Sequence, residues 1–271
     1  MRKAYSRNLI KLSKLISLQG KKTLITGAGS GIGRAIAKRF AEAGSDLLLL
    51  DIDKQSLDKT QELLSHFACI KHSYAIDLTS KKDIDDYWES LGSDLPHILV
   101  NNAGIYPFKD FLELDSDYLK NIIDINLNSV VWMCQKFIRN RINTGGIIIN
   151  ISSIEAILPF KENMTHYSIT KSGIIALTRS LARDYGKNGI RANVILPGAI
   201  KTPGTDNLVK FALRRFKFKL IKTGYDFQSR LALGRWGYPD EVAKASLFLA
   251  SDMASYIQGA MLPVDGGFLS S

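Results

Sequence analysis

Tyr167 and Lys171 stand four apart in the stretch HYSITK, a spacing that places two side chains on one face of a helix. A phenol has an ordinary pKa near 10, too high for a useful base at neutral pH. An ammonium beside it favours the phenolate and lowers that value, and the pair becomes a general acid/base. Such a pair is common on helix surfaces, so its meaning depends on the residues around it.

A second stretch, ITGAGSGIG over residues 25–33, is crowded with glycine. The pattern G-x-G-x-x-G fails, because Ile32 stands where its last glycine belongs; Gly27, Gly31 and Gly33 fit G-x-x-x-G-x-G instead. Glycine permits positive φ and close backbone approach, and the helix N-terminus behind the loop offers free N–H groups to a pyrophosphate. Ser30 and Ile32 in the same loop are cofactor-facing candidates; a tight turn with no ligand is the alternative. Asp51 follows Gly27 by 24 residues and closes the next strand. A carboxylate there accepts both ribose hydroxyls of an adenosine and repels a 2′-phosphate, which favours NAD over NADP. Its alternative is a solvated strand end, with Asp53 the better helix cap. Asp77, ending the third strand, is placed to meet the adenine edge.

These residues need a scaffold. Short apolar strands are predicted at 22–26, 45–53, 70–77, 97–104, 145–153, 190–198 and 259–267. Helices are predicted at 32–44, 54–66, 80–91, 117–140 and 165–185. Strands alternating with helices, and apolar nearly throughout, mean a parallel sheet buried on both faces. The expected fold is α/β: one doubly wound, Rossmann-type domain of about seven strands over residues 18–271. Residues 1–17 read as a basic extension in which Leu9, Leu12 and Ile16 fall at helical spacing. Packing on the domain or fraying is the plain reading of that segment, and a membrane-surface or targeting role the other.

The 271 residues, 45% of them hydrophobic, suffice for one full core. Cys69 and Cys134 form no C-x-x-C pair and the four histidines lack ligand spacing, so neither a disulfide framework nor a metal is expected. No apolar run approaches a membrane span, and the cytoplasm is the expected location. The net charge of +10 is concentrated in residues 1–22 and in Lys210–Lys222, which argues against a nucleic-acid surface spread over the molecule.

Taken together, TGAGSGIG (26–33), NNAG (101–104), NISS (150–153), YSITK (167–171), PGAIKT (197–202) and the closing stretch at 234–267 resemble the short-chain dehydrogenase/reductase family. The likeness is to its 3-oxoacyl-carrier-protein reductase and aldose dehydrogenase branches, from about residue 18 to the end. The resemblance implies that Tyr167 is the acid/base, and that Lys171 binds the nicotinamide ribose and tunes Tyr167. It implies that Ser153 hydrogen-bonds the substrate oxygen and that Asn126 holds a water in the proton relay. Asn102 and Gly104 would lie by the cofactor. Ile200 and Thr202 would fix the carboxamide, with Pro197 and Gly198 shaping that turn. A positive nicotinamide ring would further favour the phenolate. A homotetramer through the two long helices and the last strand is implied as well.

Some details depart from the family pattern. Ser153 precedes Tyr167 by 14 residues, one more than the common spacing, and the loop between carries Glu155 in place of the usual glycine. Glu155 could touch a polar substrate; a solvent-facing acid is the favoured reading. His166 is read as a spectator, since adjacent helix residues point apart. Residues 203–233 are expected to form a substrate lid, whose Lys210, Arg214 and Arg215 either face solvent or attract an anionic substrate. The expected function is hydride transfer between a nicotinamide cofactor and a secondary alcohol or ketone, with NAD preferred. Aldose 1-dehydrogenase and 3-oxoacyl thioester reductase are the enzymic alternatives. A cofactor-binding scaffold and a protein acting through its basic tail are the non-enzymic ones.

Overall fold

The computed structural model describes residues 10–205 and 228–271. The first nine residues and most of the expected lid, including Lys210, Arg214 and Arg215, lie outside the described residues. Seven parallel strands form one sheet in the order β3-β2-β1-β4-β5-β6-β7. They are β1 (Lys22–Thr26), β2 (Asp46–Asp51), β3 (Lys71–Ala75), β4 (Ile98–Asn101), β5 (Gly146–Ile151), β6 (Ile190–Pro197) and β7 (Met261–Val264). The described helices are α1 (Leu12–Leu15), α2 (Gly31–Glu42), α3 (Lys54–Leu63), α4 (Lys81–Ser90), α5 (Ser116–Ile123), α6 (Ser129–Arg141), α7 (Thr165–Tyr185) and α8 (Pro239–Ala250).

The run of leucines in β2 shows why both sheet faces must be covered. Side chains alternate along a strand. Leu47 and Leu49 enter one core with Ile36 and Phe40 of α2 and Val242 and Leu249 of α8. Leu48 and Leu50 enter the other, with Trp88 of α4, Phe137 of α6 and Ile174 of α7. Burying a large aliphatic side chain is worth roughly 1.5–3 kcal/mol, which fixes strand register as well as stability. The strand order reverses between β1 and β4, and ligands of such sheets bind outside the strand ends at that point.

Three elements differ from expectation. The sequence reading expects no helix over 234–258, yet α8 lies there and packs along α2. Its start is marked by Pro239 in the first turn and by Glu241, whose carboxylate accepts the Tyr238 N–H at 2.8 Å. Arg39 of α2 grips Asp240 through two hydrogen bonds of 2.5 and 2.8 Å. The helix expected over 117–140 is interrupted by a π-helical segment, Asp124–Asn128. The N-terminal helix is one turn; Leu9 lies outside the described residues, Leu12 and Ile16 are exposed at 66% and 38%, and the first described residue to enter the core is Leu18.

Candidate active site

The turn after β1 is built by steric exclusion. Gly27 and Gly31 have φ of +65° and +51°. At Gly33 a Cβ would stand 2.0 Å from the Gly27 carbonyl oxygen, so only glycine lets α2 start against the turn. Gly29, outside the spacing pattern, has its own reason. Its N–H donates to Asp51 Oδ2 at 2.8 Å, and a Cβ would meet that oxygen at 2.7 Å. The Asp53 N–H donates to Asp51 Oδ1 at 3.1 Å, so the carboxylate is held from two sides. Asp53 caps α3 as expected, accepting from Gln55 N and Ser56 N. Arg34 braces the turn from behind: its guanidinium donates to the Gly29 carbonyl and, at 2.9 Å, to Thr60 Oγ1. The sequence reading did not single out Arg34, Thr60 or Gly29; an arginine one residue past the glycine pattern is the only local signal.

A cleft of about 680 Å³ opens at the ends of β1, β2, β4, β5 and β6. It brings together Gly27, Ser30, Gly31, Ile32, Asp51, Asp77, Asn102, Gly104, Ser153, Tyr167, Lys171, Pro197, Gly198, Ile200 and Thr202. Gly33 and Asn126 do not line it; both act from behind. Ser30 is the N-cap of α2 but its side chain makes no capping bond, and the residue faces the cleft. Asp77 uses Oδ1 to accept from the N–H and hydroxyl of Thr79, so it is committed first to its own turn. Asn102 donates to the carbonyls of Thr26 and Gly27, both at 3.1 Å, tying the β1 turn to the end of β4.

The first turns of α7 place Tyr167 and Lys171 across from Ser153 at the end of β5. Lys171 is 4% exposed; Nζ donates to the Ile151 carbonyl at 3.1 Å and lies 5.6 Å from the Tyr167 ring centroid. Burial lowers its pKa from 10.5 to about 8. Burial likewise pushes the Tyr167 phenol above its ordinary value. The Ser153 hydroxyl offsets part of that rise, while Glu155 and Tyr106 add to it. In the protein alone burial sets both directions, and the lowering expected from the ammonium together with a positive nicotinamide ring belongs to the cofactor-bound site.

Asn126 is fully buried in the π segment. Its Oδ1 accepts the Ile105 N–H and its Nδ2 donates to the Ile105 carbonyl, each at 2.8 Å. A Cβ at Gly104 would stand 3.1 Å from Asn126 Oδ1 and 3.4 Å from Lys171 Nζ, so these groups converge behind the cleft. π segments recur at functional sites because the extra residue re-aims a side chain. His166 turns away from the cleft, its Nε2 2.9 Å from the Pro107 carbonyl, as a spectator of the chemistry. Glu155 contradicts the solvent-facing reading: it is 3% exposed and lines the cleft.

The residues fit a dinucleotide. The glycine turn brings the α2 N-terminus to the cleft wall, and a backbone-held carboxylate waits at the end of β2. Asp51 and Ile52 line this end of the cleft, and neither is a cation. Among the described residues no cluster of three or more His, Cys, Asp or Glu could hold a metal ion.

Residues 27–269 match a family model described as enoyl-(acyl carrier protein) reductase. The chain is 34% identical over 255 residues to the 3-oxoacyl-[acyl-carrier-protein] reductase of Thermotoga maritima, covering 93% of this chain and 99% of that one. It is 36% identical over 258 residues to the L-rhamnose 1-dehydrogenase (NAD(P)(+)) of a Sphingomonas species, covering 92% and 96%. A crystal structure with bound NADP, assigned as a 2-deoxy-D-gluconate 3-dehydrogenase of Agrobacterium tumefaciens, superposes with a TM-score of 0.83 at 31% identity over 95% of this chain and 99% of that one. Fold, cleft and relatives agree that this chain belongs to the short-chain dehydrogenase/reductase family of oxidoreductases acting on CH–OH groups.

Proposed function

We propose that the protein interconverts a secondary alcohol and a ketone with Tyr167 as the acid/base, and that it prefers NAD to NADP. The observation that carries the reading is the convergence of Ser153, Tyr167 and Lys171 on one cleft with the glycine turn. Nicotinamide, when bound, exchanges the hydride and in its oxidised form carries a positive charge. In oxidation Tyr167 Oη takes the hydroxyl proton; in reduction the same oxygen returns it to the carbonyl. The Ser153 hydroxyl holds the substrate oxygen. Lys171 supplies a nearby charge that favours the phenolate, and as the buried partner it holds the ribose. Gly27, Ser30, Gly31 and Ile32, which line the cleft, would hold the pyrophosphate. Asn102, Gly104, Pro197, Ile200 and Thr202 shape the nicotinamide end. Asn126 fixes the loop after β4 and supports the proton path behind Lys171.

The preference for NAD rests on Asp51, which the Gly29 and Asp53 N–H groups fix in place. NADP in the Agrobacterium neighbour is a property of that protein. The two relatives offer sugars and acyl thioesters as substrate classes. Assembly as a homotetramer is supported by apolar residues left uncovered, among them Tyr256, Met261 and the hollow between Ile138 of α6 and Leu181 of α7. No helix among the described residues is long and apolar enough to cross a membrane, which is compatible with a cytoplasmic enzyme. The test is a screen of sugars, polyols and 3-oxoacyl thioesters followed by reduced-nicotinamide absorbance, with NAD and NADP side by side. Absence of turnover with every class and both cofactors would remove the reading.

A further inference from the structure

We propose that Glu155 is the substrate-recognition residue of this cleft and selects a neutral polyhydroxy substrate, one with a hydroxyl on the carbon next to the reacting carbinol. This rests on the oxidoreductase reading above and names the substrate class within it.

Glu155 sits two residues past Ser153, in the short 3₁₀ turn Ile154–Ala156 that Ser153 caps. Its two oxygens do different work. Oε2 accepts the Phe160 N–H at 3.0 Å and so ties the loop to itself. Oε1 is buried and, among the described residues, has no hydrogen-bond partner. The residue lines the cleft beside Ser153 and Tyr167, and its charge is felt at the Tyr167 phenol. Burial pushes the Glu155 carboxyl above its ordinary value, and the Phe160 N–H and the charge of Lys161, which lines the same wall, offset part of that rise.

A buried carboxylate oxygen without a donor is costly, and a ligand that brings the donor recovers the cost. Glu155 lines the cleft beside Ser153 and Tyr167, so a substrate whose reacting oxygen meets those two can bring that donor on a neighbouring carbon. A 3-oxoacyl thioester has a methylene beside its ketone and offers nothing to Oε1. Sites built to pair a substrate hydroxyl reject analogues without it strongly, because the protein group is then left unpaired. The structure therefore favours the polyol class over the thioester class. A role for Glu155 in loop packing alone would need only Oε2.

The experiment compares 2,3-butanediol with 2-butanol, and with a 3-oxoacyl thioester, for wild type, Glu155→Gln and Glu155→Ala, alongside dinucleotide binding by fluorescence. The amide oxygen of Gln can keep the Phe160 contact, so that variant preserves the loop. The expected result is a wild-type kcat/KM at least roughly 100-fold higher for the diol than for 2-butanol. That ratio should fall about tenfold in Glu155→Gln and further in Glu155→Ala. An equal loss on both alcohols, which would mean that Glu155 acts through Tyr167 or the loop, overturns the inference. So does an unchanged ratio, or a wild type that prefers the thioester. Loss of dinucleotide binding in the wild type itself would instead overturn the oxidoreductase reading.

Discussion

The two ends of the cleft are made by different means. At the β1–β2 end the working parts are backbone: a glycine turn, the start of α2, and a carboxylate gripped by two N–H groups. At the β5–α7 end they are ionisable side chains, Tyr167, Lys171 and Glu155, taken out of water. Steric demands leave marks in residue type and spacing. Electrostatic demands depend on burial, which arises only when distant elements close over the site.

The sharpest break in that comparison is Tyr167→Phe. Removing the one group that moves the proton should lower kcat by about 10³-fold. The dinucleotide Kd should stay within roughly twofold, since the β1–β2 end is untouched. A titration showing cofactor affinity falling in step with kcat would mean the ends are not separable. Gly33→Ala attacks the other end. A Cβ 2.0 Å from the Gly27 oxygen cannot be accommodated without shifting α2. Strain of about 1–3 kcal/mol should weaken dinucleotide binding by roughly 5- to 150-fold and lower Tm; unchanged affinity would show that the turn is not the cofactor cradle.

Asp51→Asn keeps an oxygen for the Gly29 N–H but removes the charge. The NAD/NADP ratio of kcat/KM should drop about tenfold, mostly through KM for NADP. A ratio that does not move would take cofactor choice away from Asp51. The smallest effect sharpens the contrast at the buried end. The folded-state pKa of Lys171 is about 8, below its ordinary 10.5, so the unfolded chain binds this proton more readily. The resulting stability cost is fully present below pH 8 and fades as pH rises to 10.5. Lys171→Met should therefore raise Tm by a few degrees at pH 7 in the cofactor-free protein, and the gain should shrink by pH 10. A Tm difference that ignores pH would mean that Lys171 is not stored there as a buried charge.

The legibility of the sequence follows the same division. The sheet was readable because apolar runs such as Leu47–Leu50 admit only a strand covered on both faces. The positions of Ser153, Tyr167 and Lys171 were readable from motif spacing, and the cleft does gather them. The upward push that burial gives the Tyr167 phenol is not legible, since adjacency to Lys171 is visible in a sequence and desolvation is not. Glu155 was misplaced for the same reason: a loop acid looks solvated until the loop is seen to fold inward. Gly29 was discounted because its constraint comes from Asp51, on another strand. The start of α8 is legible in Tyr238-Pro239-Asp240-Glu241, whose proline and acid mark a helix N-terminus.

The clasp between Arg39 and Asp240 joins positions 201 residues apart in the chain. During synthesis, α2 leaves the ribosome with the Ile36 and Phe40 side of its surface bare, and α8, which covers it, follows about 200 residues later. A nascent chain cannot cover this face of α2 before α8 has emerged. Until then that apolar face stays open to unwanted contacts, and removing α8 should loosen the helix that the glycine turn starts.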